Sequence, residues 1–309
     1  MSQSPRDVFL SELLEFAKKD DSIVLMSVDM GAPALDLWRE QVPLQVLDMG
    51  IAEQNAINVA AGLSKGGKKV FVYFMAAWIH RCYEQIRYSC CMAQIKVNIL
   101  GNGVGMGYAP AGPAHQPNED IAVMRALHNI SILTASESRS VKDLVKECLE
   151  SNVSNYVRLE RKSTYIPESG TNRTEELGWA QKTYFGSGKP THLIVSYGYM
   201  AGRIKKMMID DPSFGERIAL LDLIRIWPLN LELIELQFEN IEGILFIEEQ
   251  TKSGSVSEAI ISGSEVVQRK KFATIHLPNK YIFDNLEQEE ILNKYGFDKG
   301  TIYNLILAL

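Results

Sequence analysis

The sequence predicts an α/β protein of two domains, each a mainly parallel sheet flanked by helices. Three observations carry that prediction. Short apolar runs alternate with stretches of helical periodicity from one end of the chain to the other. A chain of 309 residues, 46% hydrophobic and 23% charged, is long enough for two separate cores. A polar stretch from Arg161 to about Lys182, broken by Pro167, Gly170 and Asn172, interrupts the alternation and reads as a linker. The expected division is a first domain over 1–165, a linker over 166–188 and a second domain over 189–309.

The elements follow in order. Apolar residues at Val8, Phe9, Leu10, Leu13, Leu14 and Ala17 recur at helical spacing, and the run 23–28 then reads as a strand. The pattern continues with a strand at 44–47, a helix at 52–64, a strand at 69–73, a helix at 79–92 and a strand at 97–100. After a loop rich in Gly and Pro at 101–117, it resumes with helix 118–127, strand 131–134, helix 138–151 and strand 155–159. Strands separated by helices of this length imply a parallel sheet covered on both faces. Beyond the linker, 192–197, 217–222, 243–247 and 271–277 are strand-like, with helices between them.

Bulk properties narrow the function. A net charge of -6 and a pI near 5.5 argue against a nucleic-acid or anionic-membrane binder, because phosphate recognition concentrates positive charge. Cys82, Cys90, Cys91 and Cys148 show neither C-x-x-C spacing nor a companion His cluster, so they read as reduced cysteines of a cytoplasmic protein. Charges at Arg6, Glu12, Glu15, Lys18 and Lys19 break any signal-peptide core, and no later run approaches the roughly 20 apolar residues that span a bilayer.

Several local features have two readings. Glu53 near a helix start can be an exposed acid complementing the helix dipole. Phe71, Tyr73, Phe74 and Trp78 can be a buried strand and the start of the next helix. His115 can be a solvated loop residue, and Arg158 and Arg161 a solvated basic pair. The glycines of 101–107 fail the spacing of a dinucleotide loop and instead suit close backbone approach to a ligand.

For Phe71 and Tyr73 the buried reading is the better one, and for Arg158 and Arg161 the two readings stay level; a functional reading of Glu53, of Phe74 or Trp78, and of His115 gains weight from five motifs in order. Gly50-Ile51-Ala52-Glu53-Gln54-Asn55-Ala56 resembles the segment carrying the cofactor-activating glutamate of the transketolase family. Arg81-Cys82-Tyr83-Glu84-Gln85-Ile86-Arg87, Gly112-Pro113-Ala114-His115-Gln116-Pro117, Asp222 to Pro228 and Glu248-Glu249-Gln250-Thr251 are similar to later landmarks of that family. The resemblance covers essentially the whole chain. It implies a thiamine-diphosphate pyrimidine-binding fold followed by a transketolase C-terminal-like domain.

The resemblance also implies roles. Glu53 would hydrogen-bond the aminopyrimidine N1′ of thiamine diphosphate, with Ile51 lining the cofactor site, and so help the thiazolium C2 proton leave. Phe74 or Trp78 would stack on the pyrimidine, although the family spacing points to Ala77. His115 would contact the donor carbonyl or the intermediate oxygen, and Arg161 a substrate phosphate. Three departures stand out: Ala111 replaces a family aspartate, Gly103 a histidine and Pro33 a serine. They point away from the standard pentose phosphates, toward a modified or deoxygenated sugar or another ketol or acyl donor.

No Gly-Asp-Gly occurs in the sequence, so the diphosphate and its Mg2+ would be held by a separate subunit of the transketolase N-terminal type. An α2β2 assembly is the expected form. The C-terminal domain is assigned to packing and dimerisation. Alternatives are a β-like subunit of a 2-oxoacid dehydrogenase, a relative of deoxyxylulose-phosphate synthase, or a non-catalytic partner subunit.

Overall fold

The computed structural model describes residues 4–162, 173–185 and 188–309. The first part runs α1 (Pro5–Ala17), β1 (Ile23–Ser27), α2 (Pro33–Gln41), β2 (Val46–Asp48), α3 (Glu53–Lys65), β3 (Lys69–Met75), α4 (Tyr83–Gln85), β4 (Asn98–Asn102), α5 (Asp120–Met124), β5 (Ile130–Thr134), α6 (Ser138–Glu150) and β6 (Ser154–Leu159). The second runs β7 (Arg173–Glu176), β8 (Ala180–Tyr184), β9 (His192–Ser196), α7 (Gly198–Asp210), α8 (Pro212–Gly215), β10 (Ile218–Leu223), β11 (Arg225–Trp227), α9 (Leu231–Leu236), β12 (Gly243–Thr251), α10 (Val256–Gly263), α11 (Glu265–Gln268), β13 (Lys271–Leu277), α12 (Gln288–Lys294) and α13 (Lys299–Leu307).

A seven-stranded sheet has the order β11-β5-β6-β4-β3-β1-β2, and a six-stranded sheet has the order β13-β12-β9-β10-β8-β7. All pairs in the first are parallel except β11 with β5, and the second turns antiparallel only at β8 and β7. Every residue of β1, β4, β5 and β6 is buried, and β1 and β5 accordingly read as mainly apolar runs, whereas β4 and β6 also bury Asn98, Asn102, Ser154, Asn155 and Arg158. One face of the first sheet packs against α1, α2 and α6 through Phe9, Leu13, Trp38, Leu144 and Val145. The opposite face shares a core that continues into the second sheet, joining Val72, Phe74 and Ile132 to Val195 and Phe246.

Several expectations needed correction. The strand at 44–47 starts with a 3-10 turn at Pro43–Gln45, because Pro43 has no N–H to give a ladder, and pairing begins only at Val46. The helix at 79–92 is a 3-10 turn at Ala76–His80, the short α4 and π-helical turns over Ile86–Met92. That broken path buries Ala76, Ile79 and Cys82 while leaving Trp78 partly exposed. Helix α2 is an addition to the expected elements; Pro33 begins it at the first-turn position where a missing N–H costs nothing. Part of the expected linker belongs to the second sheet as β7 and β8, while Pro167, Gly170 and Asn172 lie outside the described residues. Among the described residues no helix is long and apolar enough to cross a membrane.

Candidate active site

The features singled out in the first domain gather at the carboxyl ends of its parallel strands, where open α/β sheets place their ligands. Glu53 opens α3 after β2, Trp78 follows β3, His115 lies in the segment after β4, and Arg161 follows β6. Helix α3 lacks a side-chain cap at Ala52, so its first N–H groups and positive end face the Glu53 side. Glu53 is 3% exposed.

A chain of contacts starts at this carboxylate. Arg81 Nη1 donates to Glu53 Oε2 at 3.2 Å, and the Arg81 guanidinium lies 5.7 Å from the centre of the Trp78 ring. The edge of that ring meets His115, with centroids 5.4 Å apart and planes at 61°. His115 closes the 3-10 turn Pro113–His115, which Gly112 enters at φ +83°. Its Nδ1 is buried without a hydrogen-bond partner, a cost that a ligand atom would relieve. Glu53, Arg81, Trp78 and His115 therefore form one continuous chain of contacts.

The two aromatic candidates separate by burial. Phe74 is fully enclosed in the core with Val72 and Ile99, whereas Trp78 keeps part of its ring open. Phe71 and Tyr73 are also fully buried, in the core facing α1. Ile51, 74% exposed, stands beside Glu53 as an apolar shoulder.

The basic pair divides as well. Arg158 is buried, donating to Asp120 at 2.9 and 3.3 Å, while Tyr156 donates to the same carboxylate at 2.7 Å. Arg158 is thus part of the domain junction. Arg161 is exposed and lies over the Tyr108 ring at 4.7 Å.

Tyr108 was missed from the sequence. Its ring occupies the space that a side chain at residue 103 would need, and Asn102 Nδ2 donates to its hydroxyl at 2.9 Å. The loop glycines thus make room for the chain's own side chains: Gly101 for Tyr156, Gly103 for Tyr108 and Gly105 for Glu249. Arg6 was also missed; paired with Asp7 at 2.9 Å, it lies within electrostatic reach of the Tyr73 and Tyr108 phenols. Arg81 stood in a recognised motif, but only the fold shows that it bridges Glu53 and Trp78. Ala111 is exposed, and Pro33 is exposed at the start of α2.

The residues present fit an aminopyrimidine. A buried carboxylate can meet a ring nitrogen, a half-open indole offers a stacking face, and an unsatisfied imidazole stands alongside. Among the described residues no group of three or more His, Cys, Asp or Glu could hold a metal ion.

A parallel sheet carrying such a half-site, joined to a second mixed sheet, is the architecture of the pyrimidine-binding and C-terminal half of thiamine-diphosphate enzymes. Residues 2–166 match the family described as transketolase, pyrimidine binding domain, so the chain belongs to the transketolase family. It is 29% identical to one of the subunits of an apulose-4-phosphate transketolase from Phocaeicola vulgatus, over 96% of this chain and 94% of that protein. Over 51% of this chain and 49% of that protein, it is 31% identical to SqwH, part of a 6-deoxy-6-sulfo-D-fructose transketolase of a Clostridium species. Against a 1-deoxy-D-xylulose-5-phosphate synthase of Wolinella succinogenes it is 26% identical and spans about half (48%) of that protein's length. A solved split-gene transketolase, described as an inactive beta4 tetramer, shares the fold with a TM-score of 0.80 at 24% identity, covering 99% of this chain and 98% of that one.

Proposed function

We propose that this chain is the β-type subunit of a split transketolase-like enzyme that moves a two-carbon ketol unit onto or from a sugar outside the standard pentose phosphates. The observation that carries this reading is the chain of contacts joining Glu53, Arg81, Trp78 and His115 at the carboxyl edge of the first sheet. In this reading a diphosphate-binding subunit of the transketolase N-terminal type closes over that edge, holds the Mg2+ and completes an α2β2 enzyme of the cytoplasm. The exposed apolar side chains Ile51 and Leu44, at 74% and 97%, suit a covered face.

Thiamine diphosphate, when bound, supplies the acidic thiazolium carbon that adds to a ketose carbonyl. Glu53 would share a proton with the pyrimidine N1′, and exclusion of water from its buried carboxyl would strengthen that hydrogen bond beside the Arg81 guanidinium. Trp78 supports the ring by stacking once Arg81 swings off its face. His115 holds or moves a proton at the substrate oxygen through its unpartnered Nδ1. Arg161, backed by Tyr108, binds an anionic group on the substrate.

Sugar choice follows from the same loop. Ala111 offers no carboxylate to a sugar hydroxyl, and at Gly103 the Tyr108 ring stands where the family's histidine would be. Both changes favour a substrate with fewer or differently placed hydroxyls, in keeping with the sugars in the names of two relatives.

Isothermal titration of thiamine diphosphate and Mg2+ into this chain, with and without a Gly-Asp-Gly subunit encoded beside it, tests the reading. Binding is expected only in the mixture, and Glu53→Gln is expected to cut the mixture's turnover by about 100-fold or more while leaving assembly intact. Binding in neither case, or turnover unaffected by the substitution, would sink the proposal. Ketoacid-dependent decarboxylation by the mixture would instead favour the synthase-like reading.

A further inference from the structure

At the end of β12, Glu248 serves its own domain. It accepts from the Val256 and Ser257 amides of α10 at 2.9 and 2.7 Å and from the Tyr197 hydroxyl at 2.8 Å. The next three residues cross to the first domain. Glu249 Oε1 accepts from the Met106 amide at 2.8 Å and from Gln288 Nε2 at 2.9 Å. Gln250 Nε2 donates to the Pro117 carbonyl at 3.1 Å and to Asp120 Oδ1 at 2.9 Å, and the Thr251 amide donates to the Asn118 carbonyl at 3.0 Å.

Met106 and Pro117 bracket the segment that carries both Tyr108 and His115. Its first anchor is tight. The Met106 and Ala109 side chains are buried in the core of the second domain with Ile194, Leu245 and Ile247. Gly105, at φ +55°, lies so close that a Cβ there would stand 2.7 Å from Glu249 Cδ.

We propose that Glu249, on the C-terminal domain, is a positioning residue of the active site, fixing at Met106 the backbone that presents Tyr108 and His115 to substrate. This rests on the reading of those two residues as substrate contacts. The C-terminal domain then contributes more than packing and dimerisation.

The charge around Glu249 supports a fixed acceptor. Glu160, at the end of the first domain's strands, faces it across the junction and accepts from the Tyr199 amide at 3.1 Å; Arg158 and Arg203 are the nearby cations, and Asp120 lies near Glu160. Burial raises the pKa of both carboxyls, and each charge opposes the other. Glu249 has two donors with Arg158 and Arg203 in its favour, whereas Glu160 has one amide and Arg158, so the negative charge is better held on Glu249.

Amide hydrogen exchange on the full chain tests the proposal without a substrate. Glu249→Ala is expected to speed exchange across 103–117 by about tenfold or more while peptides of α10, held by Glu248, keep their protection. Glu249→Gln should restore protection, because both hydrogen bonds land on Oε1, which the amide oxygen reproduces. Gly105→Ala, which pushes the loop off Glu249 with the second domain intact, should reproduce the Ala result if Glu249→Ala fails to fold. Unchanged exchange at 103–117, or equal acceleration throughout the chain, would overturn the proposal. Should the wild-type mixture fail to bind thiamine diphosphate, the functional reading falls, whereas the exchange result still decides whether Glu249 fixes the loop.

Discussion

Trp78 has neighbours of opposite character, a guanidinium over its face and an imidazole at its edge, and a pyrimidine stacking there must displace only the first. Trp78→Ala is expected to weaken thiamine diphosphate binding by the assembled mixture about tenfold, and Trp78→Phe to retain most of it. Titration calorimetry would check both; wild-type affinity in the Ala variant would return the stacking role to another residue. Glu53 and His115 stand out in the sequence because each lies in a dense motif, and the fold brings both to one edge of the first sheet. The sequence could not choose between Phe74 and Trp78, since which ring keeps an open face depends on the 3-10 turn after β3. Tyr108 was invisible for a similar reason. Its ring reaches Gly103, five residues earlier, only because the backbone turns at positive φ.

Among the elements, β10 carries a liability. Asp222 is fully buried, and loss of solvent pushes its carboxyl up to about 7, although the Ser136 hydroxyl, donating to Asp222 Oδ2, and Lys205 favour the charged form. Its folded value lies above the unfolded one, so the native state holds the proton more tightly. The resulting stability is fully present below about pH 4 and is lost as pH rises through about 7. Asp222→Asn should flatten that fall and raise stability at pH 8 by about 1–3 kcal/mol, read from urea unfolding at several pH values. An unchanged pH profile would show that Asp222 titrates normally.

Strands buried on both faces were legible because continuous apolar runs require no partner to be known. Strands β7 and β8 were not, since Arg173 to Glu176 form a polar edge and Ala180 to Tyr184 include buried Gln181, Lys182 and Thr183 that only tertiary contacts satisfy. Lys182 Nζ, for example, donates to the Gln237 carbonyl at 3.3 Å.

At the scale of the whole molecule, the order and number of the two sheets could be read from the alternation of patterns, but not the way they are joined. Strand β11, only three residues long, leaves the second half of the chain and pairs antiparallel with β5 at the margin of the first sheet. The Thr134 amide donates to the Ile224 carbonyl at 2.8 Å beside it. No periodicity announces so short a pairing. A fragment ending at residue 162 would retain every other strand of the first sheet and expose the β5 edge, so it is expected to aggregate. A monodisperse, cooperatively unfolding fragment in size-exclusion and thermal melts would disprove this. The stitch at Arg225–Trp227 therefore leaves no harmless breakpoint between the two domains: a cut anywhere between them parts β5 from its outer neighbour, so the pair is expected to fold and be exchanged only as one piece.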